Sequence, residues 1–342
     1  MASARAATAV AVAGLAVVAA WFATPGPQGP GRFAARAIDA PTPTGALDWQ
    51  SGAVGADRVP EPVLRSAAAI TIAIVDTGAD VSAPELASKN PAAYDTRTRS
   101  LTVTDTNGHG TFVASLAAAG GGDAKLLVVK ATDASGAVSD LGEALAIRYA
   151  VDHGARIVNL SLAGTTTSAV EQSAIKYATR HGVLLVAAAG NEYARGNPVE
   201  YPAALLQPVG SNGVGGAGLA VAASTRDGSR AAFSNTGSWV SLAAPGENVF
   251  GAVSGRSSST AYPRASLPGS LGLHGYASGT SFAAPQVAGA AALVWSVNPA
   301  LTARQVAQIL KDTASGHGAW TPELGFGVID VAAAVERARL ST

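Results

Sequence analysis

Residues 70–80 read ITIAIVDTGAD. The run Ile70–Val75 is apolar apart from Thr71, and it ends abruptly in Asp76-Thr77-Gly78. A short continuous apolar run closed by turn-forming residues predicts a strand buried on both faces, not one face of a helix. The pattern recurs at Leu126–Ala131, Ile157–Leu162, Val183–Ala189 and Leu219–Ala223. Helical patterns lie between and after these runs. His109–Ala119, Ser139–His153 and Ser168–His181 come first, the last two stopped by Gly154 and Gly182. Thr280–Val297, Thr302–Thr313 and Val331–Arg339 follow. Ser168-x-x-Glu171 and Thr302-x-x-Gln305 are capping boxes that mark two of the starts. Strands alternating with helices predict an α/β protein whose mostly parallel sheet is covered on both faces. In such sheets the chemistry sits beyond the C-terminal ends of the strands.

Composition narrows the function. The chain has 342 residues, with 23 Lys+Arg against 23 Asp+Glu, so its formal net charge is zero. That excludes a strongly basic nucleic-acid binder and an acidic tail. Apolar residues make up 48%, too many for a disordered chain. There is no Cys, which excludes disulfides, thiolate chemistry and Cys-based zinc sites, and the single Met is Met1. Residues 1–23 carry one charge, Arg5, ahead of an uncharged apolar run Ala6–Ala23, the pattern of a signal peptide or, if uncleaved, of a membrane anchor. Residues 24–45 are rich in Pro and Gly and read as an extended linker or short pro-segment. Residues 46–340 contain no further linker or repeat and read as one domain.

Four blocks carry chemistry. Asp76 directly follows a buried strand. NGHGTFVAS (107–115) places His109 at a helix start, where Asp105 and Asn107 are expected to shape the preceding loop. ASGTSFAAPQVAGAAALV (277–294) places Ser281 at the start of a long apolar helix. VLLVAAAGNEY (183–193) places Asn191 just after a strand. A serine hydroxyl needs an adjacent base to act as a nucleophile at neutral pH. Histidine can take that proton and return it to a leaving amine, and a buried carboxylate can hold the imidazole tautomer. An Asn amide and a backbone N–H at a positive helix end can both donate to an oxyanion. The other histidines read as structural. His153 and His181 lie at helix C-termini, where a cation is favoured, while His274 and His317 read as solvated loop positions.

In this order the blocks resemble those of the subtilisin-like serine proteases (subtilases, the peptidase S8 family). VNLSLA (158–163), YPA (201–203), FSNTG (233–237), APG (244–246) and GFGVIDVAAAV (325–335) extend the resemblance over nearly the whole domain. The resemblance implies a three-layer α/β/α subtilisin-like fold and a secreted serine-type endopeptidase acting on protein or peptide substrates. It implies that Asp76 orients the histidine, His109 is the acid and base, and Ser281 is the nucleophile. Asn191 and the Ser281 N–H form the oxyanion hole. Ser161, Leu162 and Ala163 pair with the substrate backbone, with Ala134, Ser135 and Gly136 on its other side. Glu200 falls near the base of the pocket for the residue before the scissile bond, with Glu192 at its entrance. Pointing inward, Glu200 favours Lys or Arg there; pointing to solvent, it does nothing. No cofactor is required for the chemistry. The expected partners are substrates alone: no nucleic acid, a membrane only if the leader is retained, and a monomeric state.

Some residues depart from the family pattern. Phe282 stands where the family usually has Met and is expected to reshape the leaving-group side of the site. HGTFVAS replaces the usual HGTHVAG, so that Phe112 and Ser115 are packing changes. The stretch after the His109 helix, AAAGGGDAKLLVVKA, is short. The calcium-binding loop that many relatives insert there is missing, so structural calcium is expected only elsewhere. The roughly twenty residues between leader and domain show no folded pro-segment of the kind secreted relatives generally carry, which leaves two expectations: a chain that folds unaided, or an intact membrane-tethered enzyme if the leader is not cleaved. Two alternatives differ in kind. One is a catalytically silent binding protein on the same fold. The other is an aspartyl protease using the Asp76-Thr77-Gly78 signature, which needs two copies where this sequence has one.

Overall fold

Thr71–Asp76 is the central strand, and its side chains feed two separate cores. Ile72 and Ile74 pack on one face, Ala73 and Val75 on the other, all fully buried. Leu126/Val128 against Leu127/Val129, and Leu184/Val186 against Leu185/Ala187, repeat the division in neighbouring strands. This is why the strands read as continuous apolar runs: alternate residues point to opposite faces, and both faces are covered.

The computed structural model describes residues 48–265 and 272–341, together with the backbone of 32–34. All of these belong to one unit, Gly31–Thr342. The signal-peptide and linker readings otherwise lie outside the described residues. Strands are numbered along the chain: β1 (Arg32–Ala34), β2 (Thr71–Asp76), β3 (Ala92–Asp95), β4 (Lys125–Lys130), β5 (Ala137–Val138), β6 (Ile157–Leu160), β7 (Leu162–Ala163), β8 (Leu184–Ala188), β9 (Gly218–Ser224), β10 (Leu242–Pro245), β11 (Val249–Ala252), β12 (Arg264–Ala265) and β13 (His274–Ala277). The helices are α1 (Trp49–Ala53), α2 (Glu61–Ser66), α3 (Pro84–Ala87), α4 (His109–Gly120), α5 (Asp140–Asp152), α6 (Ala169–Arg180), α7 (Ala203–Leu206), α8 (Thr280–Val297), α9 (Ala303–Asp312) and α10 (Val331–Arg339).

Seven strands form a wholly parallel sheet in the order β10-β9-β8-β6-β2-β4-β3. The chain begins at β2, builds β3 and β4 on one side, then crosses to β6 on the other. That reversal makes a switch point beside the C-terminal end of β2, the place where open parallel sheets form their sites. Helices α5 and α6 cover one face, and α4, α8 and α10 the other, giving three layers. Helix α8 is buried from Thr280 to Trp295, so it runs through the protein and not along its surface. Among the described residues no helix is long and apolar enough to cross a membrane.

Local chemistry explains the helix starts. Ser139, Ser168, Thr302 and Asp330 each accept a bond from a backbone N–H in the first turn, and Thr302 with Gln305 makes both bonds of a capping box. At α6 the Glu171 carboxylate accepts the Thr167 hydroxyl at 2.6 Å. His153 and His181 are C-cap residues whose Nδ1 lies 2.8 Å from the carbonyl four residues back. His274 corrects the loop reading: it is buried in β13, bonded to Glu85 and stacked on Phe250. The edge strands β3 and β10 and the antiparallel sheet β11-β13-β12 carry no long apolar run, which is why pattern alone did not find them.

Candidate active site

Asp76 is the last residue of β2, and Asn191 follows β8 closely. Ser161 separates β6 from β7, and Ser281 is the second residue of α8. The C-terminal edge of the sheet therefore collects all of them. Asp76 Oδ1 lies 2.7 Å from His109 Nδ1 and accepts the Thr77 N–H, also at 2.7 Å. Both residues of the pair are buried. The contact defines the imidazole tautomer: Nδ1–H donates to the carboxylate, so Nε2 carries the lone pair. Nε2 is buried with no hydrogen-bond partner in the protein.

The loop before His109 is held from below by Asp105. Its Oδ1 accepts from the Thr77 hydroxyl (2.9 Å) and Gly108 N–H (2.8 Å). Its Oδ2 accepts from Thr111 N–H (2.8 Å) and the Thr111 hydroxyl (2.6 Å). One buried carboxylate thus ties the turn after Asp76 to the helix that carries His109. Gly110 permits the approach: a Cβ built there would fall 2.1 Å from the Gly78 carbonyl oxygen.

Asn191 is oriented by a residue that sequence reading missed. Its Oδ1 accepts from Thr280 N–H at 2.8 Å and from the Thr280 hydroxyl at 3.0 Å. The Thr280 hydroxyl in turn accepts from Gly190 N–H at 3.1 Å. With its oxygen fixed, the amide must present Nδ2 toward the start of α8. A Cβ on Gly279 would lie 3.5 Å from it. Nδ2 is buried and unpartnered. A buried amide donor left open at a positive helix end can stabilise an oxyanion.

Pro285 lies inside α8 and cannot donate to the Ser281 carbonyl four residues back. The freed carbonyl accepts the Ser161 hydroxyl at 2.7 Å, and Ser281 Oγ donates to the Ser161 carbonyl at 3.5 Å. Asn159 Nδ2 donates to Ser161 Oγ at 2.9 Å. The proline within the helix was the signal available: a missing N–H implies an open carbonyl one turn earlier.

The two aromatic departures form one contact. Phe282 and Phe112 are fully buried and meet edge to face at 4.9 Å, with the His109 ring 5.3 Å from Phe282. Phe282 therefore fills the core beneath the site.

Glu200 is buried, 5% exposed. Mutual backbone bonds between Gly164 and Tyr201 (3.1 and 2.8 Å) bring its segment alongside β7. A Cβ on Gly190, whose φ is +110°, would fall 2.3 Å from a Glu200 carboxylate oxygen, so the carboxyl sits directly under the loop that carries Asn191. Burial raises its pKa to about 7, helped by the nearby charge of Glu192. Glu192 is bonded to Arg195 at 2.8 Å. Ala134–Gly136 form a turn held by the Asp133 carboxylate, and the paired residues are Ala137 and Val138.

A parallel three-layer α/β/α fold with an Asp–His pair, a helix-start serine and an open amide donor at its switch point defines the architecture of a serine endopeptidase. The chain belongs to the subtilase family, whose model matches residues 67–327. It is similar to Subtilisin Savinase of Lederbergia lenta, 34% identical over 300 residues that cover 83% of this chain and 99% of that protein. It is 32% identical over 262 residues to a thermophilic serine proteinase of Bacillus sp. strain AK1, covering 73% of this chain and 58% of the relative. Among solved structures it is similar to fervidolysin of Fervidobacterium pennivorans, described as a keratinolytic enzyme related to subtilisin. There the TM-score is 0.73 at 29% identity, covering 84% of this chain and 45% of the other. The aspartyl-protease alternative lapses with the family assignment.

Proposed function

We propose that this chain is an exported serine endopeptidase that cleaves peptide bonds through an acyl-enzyme on Ser281. The observation that supports the reading is a pair of buried open groups, the base Nε2 of His109 and the donor Nδ2 of Asn191, on residues that meet the start of α8: the His109 ring lies 5.3 Å from Phe282, and Asn191 Oδ1 accepts from Thr280 N–H at 2.8 Å. His109 Nε2 takes the Ser281 proton as Oγ attacks the carbonyl carbon, and Asp76 stabilises the resulting imidazolium. Asn191 Nδ2 and the Ser281 N–H hold the oxyanion. The imidazolium then protonates the leaving amine, and water repeats the sequence on the ester. Substrate pairs as an added strand between Leu162–Ala163 and Ala137–Val138, so main-chain bonds supply affinity and pockets supply specificity.

Glu200 under the pocket favours Lys or Arg before the scissile bond. The chemistry needs no cofactor. The connection from α4 to β4, residues 121–124, is too short to supply the roughly 6–8 oxygen ligands of a calcium loop. The apolar run Ala6–Ala23 supports export, and a monomer suffices because one chain supplies every group named. The test is fluorophosphonate labelling with casein hydrolysis. Wild type is expected to label at Ser281 and clear casein, and Ser281→Ala to do neither. Equal inactivity of both would favour a silent binding protein.

A further inference from the structure

Residues 253–263, between β11 and β12, lie along the loop that carries His109. The chain meets that loop step by step. Ala252 N–H donates to Ser115 Oγ at 3.0 Å, Ser254 Oγ to the Asp105 carbonyl at 2.7 Å, and Ser257 Oγ to the Asn107 carbonyl at 2.7 Å. The Tyr262 ring stacks on Phe112 with 5.7 Å between centroids. Burial, and after it the charges of Asp105 and Asp76, push the Tyr262 phenol well above its ordinary pKa, so this wall of the turn stays neutral. Gly255 N–H donates to Asp80 Oδ2 at 3.0 Å, which joins the same segment to the turn after Asp76. Ser254, Ser257 and Tyr262 are buried, and none of them takes part in the acyl transfer.

The peptide unit between Asn107 and Gly108 is gripped at both ends. Its carbonyl accepts the Ser257 hydroxyl, and its N–H donates to Asp105 Oδ1 at 2.8 Å. Helix α4 starts one residue on, at His109, and Gly108 enters it at φ +96°, a conformation that glycine adopts without steric cost. The contact is close: a Cβ on Gly108 would fall 2.8 Å from Ser257 Oγ and 3.1 Å from Tyr262 Cε2. Fixing both ends of that plane fixes the direction of the first turn of α4, from which His109 Nδ1 meets Asp76 Oδ1 at 2.7 Å. We propose that Ser257 is a positioning residue for His109: its hydroxyl locks the 107–108 peptide plane and so holds the imidazole against Asp76. This inference rests on the reading of His109 as the base.

Removing the hydroxyl takes this partner from the Asn107 carbonyl and lets the plane turn about Gly108, the residue type with the widest backbone freedom. A turn there is carried directly into the side chain of the next residue, and a misplacement of about 1 Å at a reacting group costs about 10²-fold in rate. Asp105 limits the loss, because it still holds the Gly108 N–H from the other side. Ser257→Ala is therefore expected to lower kcat about 10- to 100-fold. KM is expected to stay unchanged. The Ser257 hydroxyl bonds to Asn107 and to the Ser259 N–H, and to neither strand proposed to hold substrate.

The experiment compares the wild-type chain with Ser257→Ala and with Ser257→Cys, whose thiol keeps the bulk and is a weaker donor. The readouts are kcat and KM on one peptide, the rate of fluorophosphonate labelling at Ser281, and the far-downfield proton resonance of His109 Nδ1–H bonded to the Asp76 carboxylate. Ser257→Ala is expected to cut kcat and the labelling rate about 10- to 100-fold with KM unchanged, and to lose or broaden the resonance, with Ser257→Cys between it and wild type. With an active wild type, a retained resonance or an unchanged kcat in Ser257→Ala overturns the positioning role, whatever happens to its Tm. Failure of both variants to fold overturns it too, because the hydroxyl then serves folding alone. A wild type that neither labels nor cleaves overturns the protease reading instead, and loss of the resonance in Ser257→Ala then still upholds the grip on His109.

Discussion

Glu200→Gln tests substrate preference and protonation together. Burial holds the Glu200 carboxyl at a pKa of about 7, so roughly a tenth of it is ionised at about pH 6 and roughly nine-tenths at about pH 8. A charge-assisted contact with a Lys or Arg side chain adds about 1.5–3 kcal/mol, or about 10- to 100-fold in kcat/KM, and only the ionised form supplies it. The Arg/Phe ratio of kcat/KM, measured with peptides that differ only at the residue before the scissile bond, should therefore rise up to about ninefold between those two pH values. Glu200→Gln should flatten this profile and lower the ratio about 10- to 100-fold at about pH 8.

The same substitution has a stability signature of known sign. A carboxyl whose folded pKa is raised favours the protonated native state. Stability is lost as pH climbs from the unfolded value, 4.5, to about 7. Glu200→Gln should thus raise the Tm at pH 8 and leave it unchanged at pH 4, by a stability difference of up to about 3 kcal/mol at the higher pH. A pH-independent Arg/Phe ratio in the wild type, alongside the predicted Tm shift, would refute the specificity reasoning while keeping the buried carboxyl.

Three further outcomes are expected. Asn191→Ala should lower kcat by about 10²–10³ with KM little changed, because the open Nδ2 acts on the transition state and not on bound substrate; steady-state kinetics on a single peptide checks it. Ser161→Ala should destabilise by about 1–3 kcal/mol in urea unfolding, because it strands the Ser281 carbonyl, and should cost less in a Pro285→Ala background, where a backbone N–H is restored as donor. Hydrogen peroxide should leave activity intact, since the only methionine is Met1, whereas Phe282→Met should lose it progressively, as followed by residual peptidase activity.

Much of the fold was legible because its strands are buried on both sides. Continuous apolar runs at β2, β4, β6, β8 and β9 carried the parallel sheet, and caps such as Ser139 and Thr302 marked helix starts to within a residue. The elements that escaped notice lack such patterns: the short edge strand β3, the antiparallel sheet under α4, and β1 inside a Pro/Gly-rich stretch. His274 was misread because a lone His beside glycines looks solvated, and only the distant partner Glu85 explains its burial.

By itself the sequence singled out the groups proposed to carry the chemistry. An aspartate ending a buried strand, a histidine and a serine opening helices, and an asparagine after a strand need only local structure to reach one end of a parallel sheet. What those groups are free to do was decided by tertiary structure. Thr280 turns the Asn191 amide, Pro285 opens a carbonyl for Ser161, Gly190 lets Glu200 lie beneath the loop, and β1 pairs with both β5 and β7. Each of these joins residues remote in sequence, and orientation, burial and protonation depend on what surrounds a side chain in space.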